Sequence, residues 1–263
     1  MINWILFGGG ILLAAAGCRH ISEQKESLGD AAYKFTKEQL ETVTTLKISG
    51  LAAKVNILPG KSDEVLVEAS NITVSSFKCA IGESNTLSIA YKPRFLGISL
   101  PLFFKNSVID IYIPKSKSFE NCKIDHGVGN LDIEYIKTEN LVLDGGVGNV
   151  TANANVGGTV KLNGGVGNMD LDFEGCIKKL NIDGGVGNIK IAGALDGSSK
   201  INGGVGDIKL YLNGELNKYS TRINGGVGAI KINGNKAINN KNAEAPYRLS
   251  IDGGVGSITA EIT

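Results

Sequence analysis

One octapeptide recurs seven times in the second half of the chain, and nothing else in the sequence narrows the fold as far. It reads KIDHGVGN from 123, VLDGGVGN from 142, KLNGGVGN from 161 and NIDGGVGN from 181. It returns as KINGGVGD from 200, RINGGVGA from 222 and SIDGGVGS from 250. The Asx position falls at Asp125, Asp144, Asn163, Asp183, Asn202, Asn224 and Asp252, so the steps are 19, 19, 20, 19, 22 and 28 residues. Twenty of the chain's 36 glycines lie in these copies, so one device accounts for the glycine excess. A fixed period near twenty residues marks a solenoid, because each unit is too small to bury a core alone and must share one with its neighbours.

Apolar residues two apart flank each glycine corner. Leu141/Leu143, Val160/Leu162 and Leu180/Ile182 precede it; Leu131/Ile133, Met169/Leu171/Phe173 and Ile189/Ile191 follow it. A period of two means strands with one buried face. Glycine at the corner lets stacked backbones approach where a Cβ would collide. The same register runs backward without the glycines. LKISGLAAKVNI (46–57) overlays LNIDGGVGNIKI (180–191), and Val65/Val67 and Leu87/Ile89 supply two further windings. The spacing therefore predicts an all-β chain, a parallel β-helix or β-solenoid of about ten turns over residues 42–263. Two interruptions stand out: an apolar insertion at 91–107 and a polar loop at 234–247. The final strand, ending at Ile262-Thr263, is expected to leave an edge open to end-to-end pairing.

Ahead of the repeats, residues 2–17 are apolar and uncharged, short for a membrane span but right for a signal-peptide core. Ala-Ala-Gly-Cys at 15–18 resembles a bacterial lipobox, which makes Cys18 the expected lipid attachment residue. A retained anchor or plain secretion are the alternatives, and each carries the rest of the chain across a membrane. The organisation expected is a signal or anchor segment at 1–18, a polar tether at 19–41 with a short helix near Lys37–Leu40, and the solenoid from 42.

The TLKISG opening, the YIPKSKSF stretch at 112–119 and the repeated I-D-G-G-V-G-N-I units resemble a bacterial family of unknown function described as putative adhesins. That family is related to the head domains of autotransporter adhesins. The resemblance covers residues from about 42 to 263. It implies a right-handed β-helix, an anchored extracytoplasmic place in the cell envelope and, for some members, a tie to envelope stress. It brings no catalytic residues.

Chemistry is sparse. With 27 Lys and Arg against 26 Asp and Glu, the net charge of +1 excludes a binder of nucleic acid or acidic polymer driven by overall charge. Two histidines, His20 and His126, starve histidine-based catalysis and metal binding. The GGVGN unit is no dinucleotide fingerprint, since a strand follows it. Nor is it a calcium nonapeptide, since Leu131, Val150, Met169 and Ile189 occupy the place of the ligating Asp. The Asx positions read as an internal structural ladder, as do Asn130, Asn149, Asn168, Asn188 and Asp207. Cys122 takes an inward slot, and no cysteine spacing suggests a metal site. In the insertion, Phe95, Leu96, Ile98, Leu100, Leu102, Phe103 and Phe104 lie between Lys92/Arg94 and Lys105, a segment suited to covering the solenoid flank or touching a membrane or partner.

No catalytic residue, metal site or cofactor is expected. The function predicted is a non-enzymatic, membrane-tethered extracytoplasmic scaffold, adhesin-like or accessory to envelope stress. A self-assembling module and a carbohydrate-active enzyme are the alternatives. The expected partners are the membrane, through the N-terminal lipid or anchor, and an envelope protein, a glycan or a second copy.

Overall fold

The structure, a computed structural model, describes residues 4–7, 10–13, 28–93 and 106–263. Cys18 and the seven apolar residues of the insertion lie outside the described residues. The chain is all-β. Each repeat contributes a strand before the glycine corner and another after it. Strands of successive repeats pair in parallel with like positions opposite, as in Leu141↔Val160, Val160↔Leu180 and Leu180↔Ser199. Val147↔Val166↔Val186 bridges carry the pairing through the corner itself. The result is a stack of rungs wound around one apolar core.

The order of rungs along the stack departs from the order in the chain at both ends. Thr86–Tyr91 with Val108–Pro114 forms the first rung, and Thr45–Ala52 with Lys54–Gly60 the second. The strand Phe119–Val128 opens the third. Rungs then follow the sequence through Ile208–Asn213, the seventh. Next comes the C-terminal copy, Tyr247–Asp252 with Ile258–Ile262, which lies between that rung and the one built from Tyr219–Asn224 and Ile230–Ile232. Among the described residues there are thus nine parallel levels, roughly 38 Å at ~4.8 Å per level.

This order corrects four expectations. Val65–Thr73 is no winding: it runs antiparallel to Val108–Pro114 and to Leu28–Phe35, and with the Phe77–Gly82 hairpin strand it closes the first end. Ten turns become nine for that reason. The folded part reaches back before 42, since Ala31, Phe35 and Leu40 are buried in the shared core. The last strand does not leave an open edge, because Ile258–Ile262 is paired on both sides. Finally, the loop at 234–247 is a cap. Its Asn240 exchanges backbone hydrogen bonds with Thr221 at 2.9 and 3.0 Å, and Asn239 Oδ1 accepts from the Ile223 amide at 2.6 Å. The irregular steps of 22 and 28 residues are the lengths needed to climb two levels and then return one. A stack has two raw strand edges, and this crossing covers one with its own return loop. Backbone of Trp4–Phe7 and Gly10–Leu13 forms two short antiparallel strands beside Leu28–Phe35.

Inside the stack, Leu46, Ile48, Cys122, Ile124, Leu141, Leu143, Val160, Leu162, Leu180 and Ile182 form columns with almost no exposure. Lys117, in the YIPKSKSF stretch, fastens the short helix Lys37–Leu40 to this body. Its Nζ donates to the carbonyls of Leu40 and Val43 at 2.5 and 2.6 Å. Desolvation there lowers its pKa from the usual lysine value.

Two corner positions show why glycine is demanded. Gly167 has φ +143°, and a Cβ on it would overlap the carbonyl of Gly148 one rung below. Gly145 has no special φ, but its Cβ would lie 2.7 Å from the Gly165 nitrogen of the next rung. Gly225, on the last rung, would meet nothing within 4 Å. Gly165→Ala, which drives a Cβ into the Gly146 carbonyl, should therefore cost about 2–3 kcal/mol in urea unfolding. The chemically identical Gly225→Ala should change stability by no more than ~0.5 kcal/mol.

Candidate functional site

Because strand residues alternate, each rung sends the same positions outward, and the stack converts them into columns. Four columns meet at the glycine corner. The first is apolar. Val147, Val166, Val186, Val205 and Val255 are 50–54 % exposed and Val227 is 72 % exposed. A residue between two corner glycines has no inward direction available, so the valines form a ridge, one per rung, with only glycine backbone beside it.

The second column is the Asx ladder. Asp125, Asp144, Asn163, Asp183, Asn202, Asp252 and Asn224 are half-buried or exposed on the outer face, not inside the stack. From Asp144 on, carboxylate and amide alternate in this spatial order, and the amides of Asn163, Asn202 and Asn224 donate to Asp144, Asp183 and Asp252 respectively. Each of these three carboxylates is thereby engaged by the neighbouring rung. No two of the three are adjacent; Asp125, opposite Asp144, makes the one carboxylate pair of neighbours in this ladder.

The third column follows the corner. Asn130, Asn149, Asn168, Asn188 and Asp207 each accept, through Oδ1, the backbone N–H of the next rung's matching residue at 2.8–3.1 Å. The side chain thus satisfies a donor that the bent corner turns away from the ladder.

Sequence reasoning missed the fourth column. Two residues before Ser49 on the second rung and before each Asx above it stand Lys47, Lys123, Val142, Lys161, Asn181, Lys200, Ser250 and Arg222 in spatial order. The cations from Lys123 onward occupy alternate rungs, ~9.6 Å apart. Among the described residues none of these five cations forms an ion pair. On rungs lacking a cation the Asx is Asp, so the face is a checkerboard of charge with little net field. The signal was present in the repeat alignment as K, V, K, N, K, R, S, but rung order was needed to see the alternation.

Away from the corner, the densest polar group is surface-exposed. The carboxylate of Asp196 accepts from Tyr247 Oη at 3.0 Å and Lys178 Nζ at 3.2 Å. These two hold its carboxyl below the usual aspartate value. Cys176 lies beside Lys178, with Sγ 3.7 Å from Nζ. Cys79 and Cys122 are buried free thiols, and desolvation pushes both pKa values up. Among the described residues no three His, Cys, Asp or Glu gather as metal ligands, and no helix is long and apolar enough to cross a membrane.

His126 replaces the first corner glycine of the third rung and is only 2 % exposed. Its Nε2–H donates to the Gly129 carbonyl at 2.7 Å, which leaves Nδ1 buried and unpartnered. The rung above adjusts, and Gly146 is the one second-position corner glycine with positive φ, +51°. Burial lowers the His126 pKa below 6.5, outweighing the Gly129 hydrogen bond and Asp125. The unfolded chain therefore takes up the proton first. The contribution is fully present above the unfolded value of ~6.5 and is lost as pH falls below it toward the folded value. Unfolding measured from pH 7.5 to 5 should show a loss of stability in the wild type that is absent in His126→Gly, the residue the other copies carry.

Among solved structures, a putative cell adhesion protein from Clostridium sporogenes is similar over 90 % of this chain and 100 % of its own, with 18 % identity and a TM-score of 0.41. A putative adhesin from Bacteroides fragilis is similar over 88 % of this chain and 96 % of its own, with 14 % identity and a TM-score of 0.35. One from Parabacteroides merdae has 12 % identity over 89 % of this chain and 96 % of its own, with a TM-score of 0.34. No curated protein matches the sequence. Residues 43–254, from the second rung to the corner of the C-terminal copy, match the Toastrack DUF4097 family throughout, and the chain belongs to that family.

Proposed function

We propose that this protein is a non-enzymatic, membrane-tethered extracytoplasmic scaffold, a right-handed β-solenoid that presents its corner face to a component of the cell envelope in the manner of an adhesin. The observation that carries the reading is the valine ridge. Six valines, each half or more exposed, stand in line on consecutive rungs, and soluble monomers seldom expose an apolar strip of that length without using it. Glycine on both sides lets a partner approach the backbone closely. The polar ladders beside the ridge are spent on holding the rungs together, and this supports a binding surface over a catalytic one. The Cys18 motif supports tethering through a lipid at the opposite end of the chain from the last rungs.

Because the valines are exposed, Val166→Ser, Val186→Ser and Val205→Ser together should leave the circular dichroism and melting temperature unchanged. Beads coated with the wild type should bind isolated bacterial envelopes, and the triple variant should bind at least about tenfold less. Equal binding would remove the ridge from the function. Metabolic labelling with a palmitate analogue should mark the wild type and spare Cys18→Ala; any other pattern rejects the lipid tether.

A further inference from the structure

The last rung is unlike the others in one respect: among the described residues no strand pairs with the outer edge of its corner. On interior rungs each corner hands three backbone donors to the next level. The first-glycine amides of Gly145, Gly164, Gly184, Gly203 and Gly253 donate to the next Asx carbonyl at 2.7–2.9 Å. The last-glycine amides, from Gly129 to Gly256, donate to the next valine carbonyl at 2.8–2.9 Å. The amides that open the following strand, from Leu131 to Ile258, donate to the carbonyl that precedes its partner at 2.9–3.0 Å. Among the described residues the corresponding donors of the last rung, Gly225, Gly228 and Ile230, have no acceptor, and the Gly226 carbonyl lacks the valine amide that its counterparts receive; the Ile230 carbonyl is already taken by the Ala237 amide at 2.9 Å.

The cap leaves this window open on purpose-built flanks. Asn239 and Asn240 seal the strand before it, and the hairpin through Asn235–Lys236 seals the strand after it. Between them lies a half-open cavity of about 570 Å³ lined by Ile223, Gly225, Gly228, Ile230, Ala237 and Ile238. Ile238 is 71 % exposed at its wall. Lys231 and Lys236 face one another across the hairpin with no acidic partner among the described residues, and like charges directly opposite are unfavourable until an anion joins them. Gly225 is the further mark. Interior first glycines must lack a Cβ because the next rung's backbone lies 2.3–2.7 Å from where it would stand, yet Gly225 has open space there.

We propose that the outer edge of the last rung, residues 225–230, is a strand-addition site that takes an extended, acidic, glycine-containing peptide segment of another protein. The edge offers donor, acceptor, donor, donor in the spacing that every interior rung offers a polypeptide, so a peptide backbone completes it. Glycine is required in the incoming segment because a Cβ facing the carbonyls of Gly226 and Gly228 would overlap them, as it would on every interior rung. The acidic character answers Lys231 and Lys236. The inference stands on the strand edge and needs neither the lipid tether nor the valine ridge.

The test uses the full chain and a fluorescent peptide, Asp-Gly-Gly-Val-Gly-Ser-Ile, which has the sequence of residues 252–258. The control peptide has alanine at its second and fourth glycine-corner positions, those of Gly254 and Gly256. Anisotropy should show the first binding at least about tenfold more tightly than the control. Gly225→Val, whose side chain meets open space in the free protein, should keep the melting temperature and lose at least about tenfold in peptide affinity. Amide exchange should slow on binding at Gly225, Gly228 and Ile230. Equal affinity for both peptides, unchanged binding by Gly225→Val, or protection elsewhere would overturn the proposal. Concentration-dependent self-association that disappears in Gly225→Val would overturn it too, by putting a second copy on the edge.

Discussion

Everything in this molecule rests on backbone meeting backbone at the corner. Nine levels can stack at strand spacing only if the chain can turn within four residues and still let the level above settle on it. At Gly145 and Gly167 any side chain would occupy the space of a neighbouring peptide group. Once that contact is possible, the rest follows. Like positions fall opposite like, leucine and isoleucine columns close the core, and corner donors find the carbonyls one level up. The repeated sequence is thus the chemical statement of one steric requirement, made again at each of the seven levels that carry it.

Stacking creates a second problem, the two terminal edges, and the chain solves it by leaving sequence order. At one end Val65–Thr73 and Phe77–Gly82 turn antiparallel and close the face. At the other, the C-terminal copy slides between two earlier ones, and the connection that makes this possible becomes the cap. The end-on polymer expected from a bare final strand loses its physical basis, since that strand is interior. What stays uncovered among the described residues is a six-residue window that keeps the corner donors which interior rungs hand to the next level.

The outer face shows how a repeat divides labour. Asn163, Asn202 and Asn224 stand between the carboxylates of Asp144, Asp183 and Asp252 and donate to them, and Asn130 through Asp207 collect amides that the corner would orphan. The sequence reads these polar residues as an internal structural ladder; they are inter-rung fastenings, set on the outer face rather than inside. The corner valines, by contrast, are exposed. His126 departs from the repeat where the GGVG rungs meet the second rung, which lacks that motif, and it fills the corner with a largely buried ring.

Periodicity of two around a glycine corner, recurring every nineteen or twenty residues, was enough to establish an all-β chain with parallel pairing and to name the inward columns from Cys122 to Ile251, because local pattern and burial share one cause. The short helix at Lys37–Leu40 was legible separately, in the polar segment ahead of the repeats. Rung order was beyond it. Leu87/Ile89 has the right period, and so has Val65/Val67, yet the first stacks in parallel and the second caps, since pairing partners and direction are settled by which edge is free, a property of the assembled stack. The steps of 22 and 28 residues were visible as numbers; only the packed structure turned them into a climb of two levels and a return of one. For the same reason the alternation of cations, the outward turn of Val166 and the unclaimed amides of Gly225, Gly228 and Ile230 belong to the tertiary structure alone.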